Sequence, residues 1–286
     1  MTRRRLDAEL VRRGITSTIV EAELAVAGGI VRVRGRQAEK ASTLVDPADP
    51  VELVRPADRF VSRGGVKLDA ALDRFAVEVA GRSALDAGAS TGGFTDCLLR
   101  RGAARVAAVD VGYGQLDWSL RTDARVLVLE RTNVRDLRPD ALPFEPEVVV
   151  ADLSFISLRL VLRVFAELSS ADVDVVLLVK PQFEAGRDEI EAGGVVRDAD
   201  IWSRTIGEIA DGCSATGLTP LGVMASPIAG PAGNVEFLLH AARGGVRGAP
   251  DVPRAIAEAR EIAAGHAAND AEPVAVDHGP QGGGVR

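Results

Sequence analysis

From residue 83 onward the chain alternates short apolar runs with helical stretches, and this pattern limits the fold more than any other feature. SALDAGA, RVAAVDV, VLVLE, EVVVADLSF and DVVLLVKP are rich in valine, leucine and alanine, and several end in a polar residue. A run that is apolar on both faces reads as a strand buried in a parallel sheet, and helices between such strands must cover it on both sides. GGFTDCLLRRG, LRLVLRVFAELS and ADIWSRTIGEIADGCSATG supply those helices, while LGVMASP and VEFLLHAA complete seven strands. The expectation is an α/β fold with a Rossmann-like, seven-stranded sheet. In such sheets ligands bind at the carboxyl ends of the strands, beside the switch point, so the polar residues there are the candidates for chemistry.

The front of the chain follows another pattern. Residues 6–13 and 19–27 carry apolar residues at helical spacing, closed by Gly14 and by Gly28 and Gly29; IVRVRG and VELV then read as strands of a small sheet. Residues 1–45 hold nine Arg or Lys against five Asp or Glu, although the whole chain has a formal net charge of -7. Arg4, Arg5, Arg12, Arg13, Arg32, Arg34, Arg36 and Lys40 can present cations to phosphates; a solvated face is the competing reading. The order of these parts over residues 3–54 resembles the small RNA-binding domain named after ribosomal protein S-four. That resemblance implies an α+β unit that binds structured RNA. ITSTIVEA stands where the family often opens its second helix with a serine-arginine pair.

With 286 residues and 47% hydrophobic residues, the chain suits one large domain plus a small one. No apolar stretch reaches membrane-span length and no signal-peptide core follows MTRRRLDAEL, so the cytoplasm is expected. Cys97 and Cys213 lie far apart without Cys or His partners, which suggests two reduced core thiols, no disulfide framework and no metal site. After about residue 243, RGGVRGAP reads as a linker and PRAIAEAREIAA as an exposed helix, and the rest as disordered.

LDAGASTGGFTD, residues 85–96, has the make-up of a ligand loop in front of a helix. A triphosphate loop requires a lysine that does not follow Gly93, and the dinucleotide pattern matches poorly because Ala89, Ser90 and Thr91 separate Gly88 from Gly92 and Gly93. S-adenosylmethionine has no phosphate, and Asp86 can meet its ammonium directly or through water, where it would repel a pyrophosphate. Asp110 ends the next strand, placed to hold a ribose diol, which also suits a nicotinamide dinucleotide. Asp136, with Val134 and Leu137, is placed to recognise the amino edge of adenine and pack on its face. Each acid taken singly is more often a cap or turn residue; together, at successive strand ends, they point to a nucleoside cofactor.

Lys180 ends strand DVVLLVKP and Asp152 ends EVVVAD, while Lys67 and Glu236 complete a candidate ring of two amines and two carboxyls. Such groups suit deprotonation of a hydroxyl acceptor, although buried lysines and acids can also merely pair.

VSRGGVKL, LDAGASTGGFTD, VDVGYGQLDWSLR, LERTNVRDL, VVADLSFISL, LVKPQFE, GGVVRD and SPIAGPAGNVEFLL, spread over residues 61–239, closely resemble the TlyA family of ribosomal-RNA 2′-O-ribose methyltransferases, whose catalytic domain is of the FtsJ type. The resemblance implies a mostly parallel methyltransferase sheet with its last strand antiparallel, and S-adenosyl-L-methionine as cofactor. It places the family's catalytic tetrad on Lys67, Asp152, Lys180 and Glu236. Its cofactor motifs fall on Asp86, Gly88, Ala89, Ser90, Thr91, Gly92, Gly93, Phe94, Asp110, Val111, Asn133, Val134, Asp136 and Asp152, and Arg63 joins the RNA-binding cations. MTRRR ahead of LDAEL resembles the type that modifies cytidines in both 16S and 23S ribosomal RNA. The implied organisation is an RNA-binding domain over 1–58, a linker over 59–64, a methyltransferase domain over 65–245 and a tail over 246–286. Phe60 stands where the family's linker has a tryptophan thought to couple RNA docking to cofactor binding. A monomer acting on ribosomal RNA, without metal, is expected. Phe155 and Tyr113 are candidates to hold a flipped cytidine. The haemolysin label carried by the family leaves a pore former as an alternative, and a non-catalytic RNA-binding assembly factor is another.

Overall fold

The computed structural model describes residues 3–16, 18–27, 30–53, 60–191, 193–230, 232–244 and 249–271. The glycine pair at 28–29, most of the linker read from 243, and the tail beyond 271 lie outside the described residues. So does residue 59 of the linker between the domains.

The N-terminal unit comprises β1 (Arg4–Arg5), α1 (Leu6–Arg12), α2 (Ile19–Ala27), β2 (Val31–Val33), β3 (Arg36–Gln37), β4 (Leu44–Val45) and β5 (Val51–Leu53). β1 pairs with β4, and β2 lies between β3 and β5, all antiparallel. Leu6 and Leu10, four apart on α1, meet Ala22 and Val26, four apart on α2, and close a small core with Val31 and Val45. Gly14 at φ 68° ends the first helix as its position suggests.

The larger unit comprises α3 (Gly64–Phe75), β6 (Ser83–Ala87), α4 (Gly93–Arg100), β7 (Arg105–Val109), α5 (Trp118–Arg121), β8 (Val126–Leu129), β9 (Val148–Ala151), α6 (Leu162–Leu168), β10 (Asp174–Val179), α7 (Pro181–Glu184), α8 (Ala199–Ala215), β11 (Thr219–Ala225), β12 (Phe237–Ala242) and α9 (Val252–Ala271). Its seven strands lie in the order β11-β12-β10-β9-β6-β7-β8. β12 alone among them runs antiparallel, inserted between β10 and β11. Side chains alternate across the sheet: Val175, Leu177 and Val179 pack toward α6, α8 and α9, while Val176 and Leu178 pack toward α3 and α4. Both faces are covered, which is why the strands read as unbroken apolar runs.

The chain passes from β6 to β7 and β8, then crosses to β9 on the other side of β6. The switch point therefore lies between the carboxyl ends of β6 and β9. The helix expected over 158–169 is shorter, because Leu158–Leu160 form a 3-10 turn before α6 begins. The helix expected to be exposed near the end is α9, which packs on the domain instead. Ala255 and Ala259 are fully buried in the core, and Glu258 accepts hydrogen bonds from Ala225 N–H and Arg74.

Candidate functional site

The loop after β6 is held by Gly88 N–H and Ala89 N–H, which donate to Val109 C=O. Its glycines serve contacts within the chain more than approach to a ligand. A Cβ on Gly88 would lie 2.4 Å from Asp152 C=O, and one on Gly93 would lie 2.2 Å from Ser62 Oγ and 2.9 Å from Gly65 N. Gly88, Ser90 and Gly92 all have positive φ, so the turn is tight, and it leaves Ser90 and Thr91 exposed above buried Ala89 and Phe94. The same close approach seats the segment ahead of α3: the Phe60 ring lies against Gly65, with the Arg100 guanidinium 5.0 Å from its centroid.

Two adjoining cavities open at the switch point. The first, about 530 Å³, is lined by Ser62, Arg63, Lys67, Gly88, Ala89, Ser90, Thr91, Gly93, Phe94, Asp152, Ser154, Lys180, Ala229 and Glu236, with Gly64. The second, about 640 Å³, is lined by Asp110, Val111, Gln115, Thr132, Asn133, Val134, Phe155 and their neighbours, and shares Gly88, Ser90, Asp152 and Ser154 with the first.

All four members of the expected ring line the first cavity, as two ion pairs. Lys67, on α3, bonds Glu236, which precedes β12; both are buried. Lys180, at the end of β10, has Nζ 2.6 Å from Asp152 Oδ1 and 3.0 Å from Ser154 Oγ. Asp152 keeps 24% of its side chain exposed, so this pair communicates with the cavity. Removing one partner of a buried pair costs roughly 3–5 kcal/mol, because the other charge is left uncompensated.

Asp110 accepts Ser90 N–H at 2.8 Å and Gly112 N–H at 2.7 Å, one on each oxygen, which fixes the carboxylate at the mouth of the second cavity. Asn133 and Val134 line that cavity as well, and Val111 is 69% exposed on its rim. Three expected cofactor residues line neither cavity: Gly92, where an added Cβ would meet Leu120 and Leu116, and two acids. Asp136 is exposed at the far end of the 3-10 turn that Asn133 caps, and it lines neither cavity. Asp86 is fully buried beneath the loop, where Thr95 Oγ donates to it at 2.6 Å and its other oxygen has no partner among the described residues. Burial, reinforced by the charges of Asp152 and Asp110, raises its pKa to about 7.

Three carboxyls thus end the neighbouring strands β9, β6 and β7 around one loop. Asp152 is balanced by Lys180, so it is Asp110, with no ion pair among the described residues, that opposes a pyrophosphate beside the loop, and the residues present suit S-adenosylmethionine better than a dinucleotide. Ser154, Gln115, Thr132 and Ser62 also line the cavities and were not singled out by sequence reasoning. Only Ser154 carried a signal, as the polar residue two positions after a strand-ending acid.

Phe155 is 92% exposed, has φ 63° and lies 5.1 Å from the Phe183 ring. Holding a bulky residue in that region costs roughly 1–3 kcal/mol. Tyr113 is exposed under the Arg131 guanidinium and lines neither cavity.

The basic residues divide. Arg12 and Arg13 both bond buried Glu9, and these bonds, Arg12 first, hold its carboxyl down at about 2 against the effect of burial. Arg13 also donates to Asp49 C=O and Pro47 C=O, which makes it an internal strut and not a free RNA contact. Arg4 pairs with Glu9, Arg5 with Asp7 and Arg34 with Asp49. Arg32, Arg36 and Lys40 are exposed and show no ion pair among the described residues. Arg63 reaches Ala229 C=O at 2.7 Å across the first cavity.

Residues 60–243 match the FtsJ-like methyltransferase family. A Mycobacterium tuberculosis protein named 16S/23S rRNA (cytidine-2′-O)-methyltransferase TlyA is 51% identical over 238 residues, 83% of this chain and 89% of the relative. The chain belongs to the TlyA family of FtsJ-like methyltransferases. TlyA-family likeness extends to Hemolysin A of Brachyspira hyodysenteriae, 37% identical over 82% of this chain and 98% of that protein. A solved structure from Streptococcus thermophilus, provisionally named a hemolysin, is 36% identical with a TM-score of 0.70, covering 95% of this chain and 100% of its own. Among the described residues of this TlyA-family chain, no helix is long and apolar enough to cross a membrane, and no cluster of three or more His, Cys, Asp or Glu could hold a metal.

Proposed function

We propose that this chain methylates the ribose 2′-hydroxyl of cytidine in ribosomal RNA, in the 16S molecule, the 23S molecule or both. The observation that carries this reading is the convergence of two lysine-carboxylate pairs in one cavity that adjoins a second, nucleoside-sized one. S-adenosylmethionine, when bound, supplies a methyl group activated on a sulfonium. Asp110 would hold its ribose and Asn133 and Val134 its adenine, while Asp86 and Asp152 offset its positive charge.

The acceptor hydroxyl must lose its proton as the new bond forms. Lys180 brings an ammonium to the first cavity, where it stabilises negative charge developing on the acceptor oxygen. Asp152, in contact with that ammonium and partly exposed, receives the proton and passes it to solvent. Across the cavity Lys67 and Glu236 orient the sugar, and Phe155 offers a ring face to the base.

Support for RNA delivery comes from the N-terminal unit, where Arg32, Arg36 and Lys40 remain available for phosphates. The packing of Phe60 and Ser62 against Gly65 and Gly93 gives that docking a route to the cofactor loop. The site of action is the cytoplasm, and the acting species a monomer. A pore-forming role finds no support in the packing, since the largely apolar strands β9, β10 and β12 are buried and none of them forms an edge of the sheet.

Transfer of labelled methyl from S-adenosylmethionine to unmethylated ribosomal subunits tests the reading. Lys180→Ala is expected to slow transfer by about 100-fold or more, in line with loss of a group that stabilises charge in the transition state. Transfer at the normal rate in that variant sinks the assignment.

A further inference from the structure

PQFE follows Lys180 and ends in Glu184, a residue that neither ion pair uses. Glu184 closes α7 and is buried, with 6% exposed. One carboxylate oxygen accepts from Ser157 Oγ at 2.5 Å and the other from Leu158 N–H at 2.8 Å, while Arg159 Nε lies 3.6 Å away. Every one of these partners belongs to the loop after β9. That loop also carries Asp152 and Ser154, which make both polar contacts of Lys180 Nζ. Residues 180–184 therefore grip residues 152–159 at two points, with the left-handed Phe155 between them. Burial pushes the Glu184 carboxyl up, and the Ser157 and Leu158 donors oppose that push. An apolar side chain would fill the position more cheaply, so the carboxylate is explained by what it holds.

We propose that Glu184 is a positioning residue for methyl transfer: by fixing Ser157 and Leu158 it keeps Asp152 and Ser154 within bonding distance of Lys180, without touching substrate or cofactor. This rests on the reading of Lys180 and Asp152 as the reacting pair.

The test compares Glu184→Ala and Glu184→Gln with the unaltered chain, using unmethylated ribosomal subunits and S-adenosylmethionine. Glu184→Ala is expected to lower kcat by about tenfold or more with the KM for S-adenosylmethionine within about threefold, since small misplacements of reacting groups carry large rate penalties. Glu184→Gln should restore kcat to within about threefold, because its amide can still accept from Leu158 N–H and bond Ser157. Hydrogen exchange supplies a readout independent of activity: amides of residues 153–158 should exchange faster in Glu184→Ala, while those of 232–236 keep their rates. Normal kcat in the alanine variant, a glutamine variant as impaired as alanine, or faster exchange throughout the domain each overturns the proposal. Were the unaltered chain to transfer no methyl group, the functional reading would fail, while localised loosening of 153–158 would still support the brace and unchanged exchange would refute it.

Discussion

At the scale of single residues, Asp86 carries an unusual cost. Its carboxyl ionises near 3.9 in an unfolded chain and near 7 in the fold. Between those values the folded state binds more protons than the unfolded one, so stability falls as pH rises through the window and levels off above about 7. The full difference is about 4 kcal/mol as an upper bound. Urea midpoints at about pH 5 and about pH 8 should show this decline in the unaltered chain and its loss in Asp86→Asn. Saturating S-adenosylmethionine should flatten the same slope, since a nearby cation favours the ionised form. A slope unchanged by the substitution would show that the decline arises elsewhere.

At the scale of elements, the close approach of α3 to the start of α4 joins the linker to the cofactor loop. Gly93→Ala places a methyl against Ser62 Oγ and the backbone of Gly65, and overpacking of this kind costs about 1–3 kcal/mol. The variant should lose that much in denaturant titration and bind S-adenosylmethionine more weakly by calorimetry; unchanged affinity would separate the two segments. The strands were legible in the sequence because burial on both faces makes each an unbroken apolar run, and their polar ends exposed Asp110, Asp152 and Lys180 as candidates. α3 shows Leu68, Ala71, Leu72 and Phe75 at helical spacing, yet it stands outside the strand-helix alternation that begins at residue 83. α5 and α7 are single turns, too short for a period to show. The misplacement of Asp136 has a related cause, since a turn's direction depends on the cap at Asn133 and not on apolar pattern. Asp86 illustrates a different limit, because its type and position announced a ligand while its burial depends on how the loop folds over it.

At the scale of the whole molecule, charge is divided between the two units. The chain is net acidic, yet its front carries exposed cations, three of which have no ion pair among the described residues. Arg13 shows why counting arginines overstates such a surface: its carbonyl partners lie more than thirty residues away and no local pattern reveals them. Binding of ribosomal RNA should weaken with salt, and replacing Arg32, Arg36 and Lys40 with Ala should reduce the log-log slope by about 2–3. A slope unchanged in the triple variant would place the RNA contacts on another face.

β12 runs against its neighbours, so its first residues reach the edge of the sheet where the other strands finish. This reversal is what lets Glu236 face Lys67 from 169 positions away. During synthesis, a nascent chain that stops short of β12 holds an amine without its counter-charge and a sheet with a gap between β10 and β11. The order of translation therefore delays assembly of the cavity until the domain is almost finished.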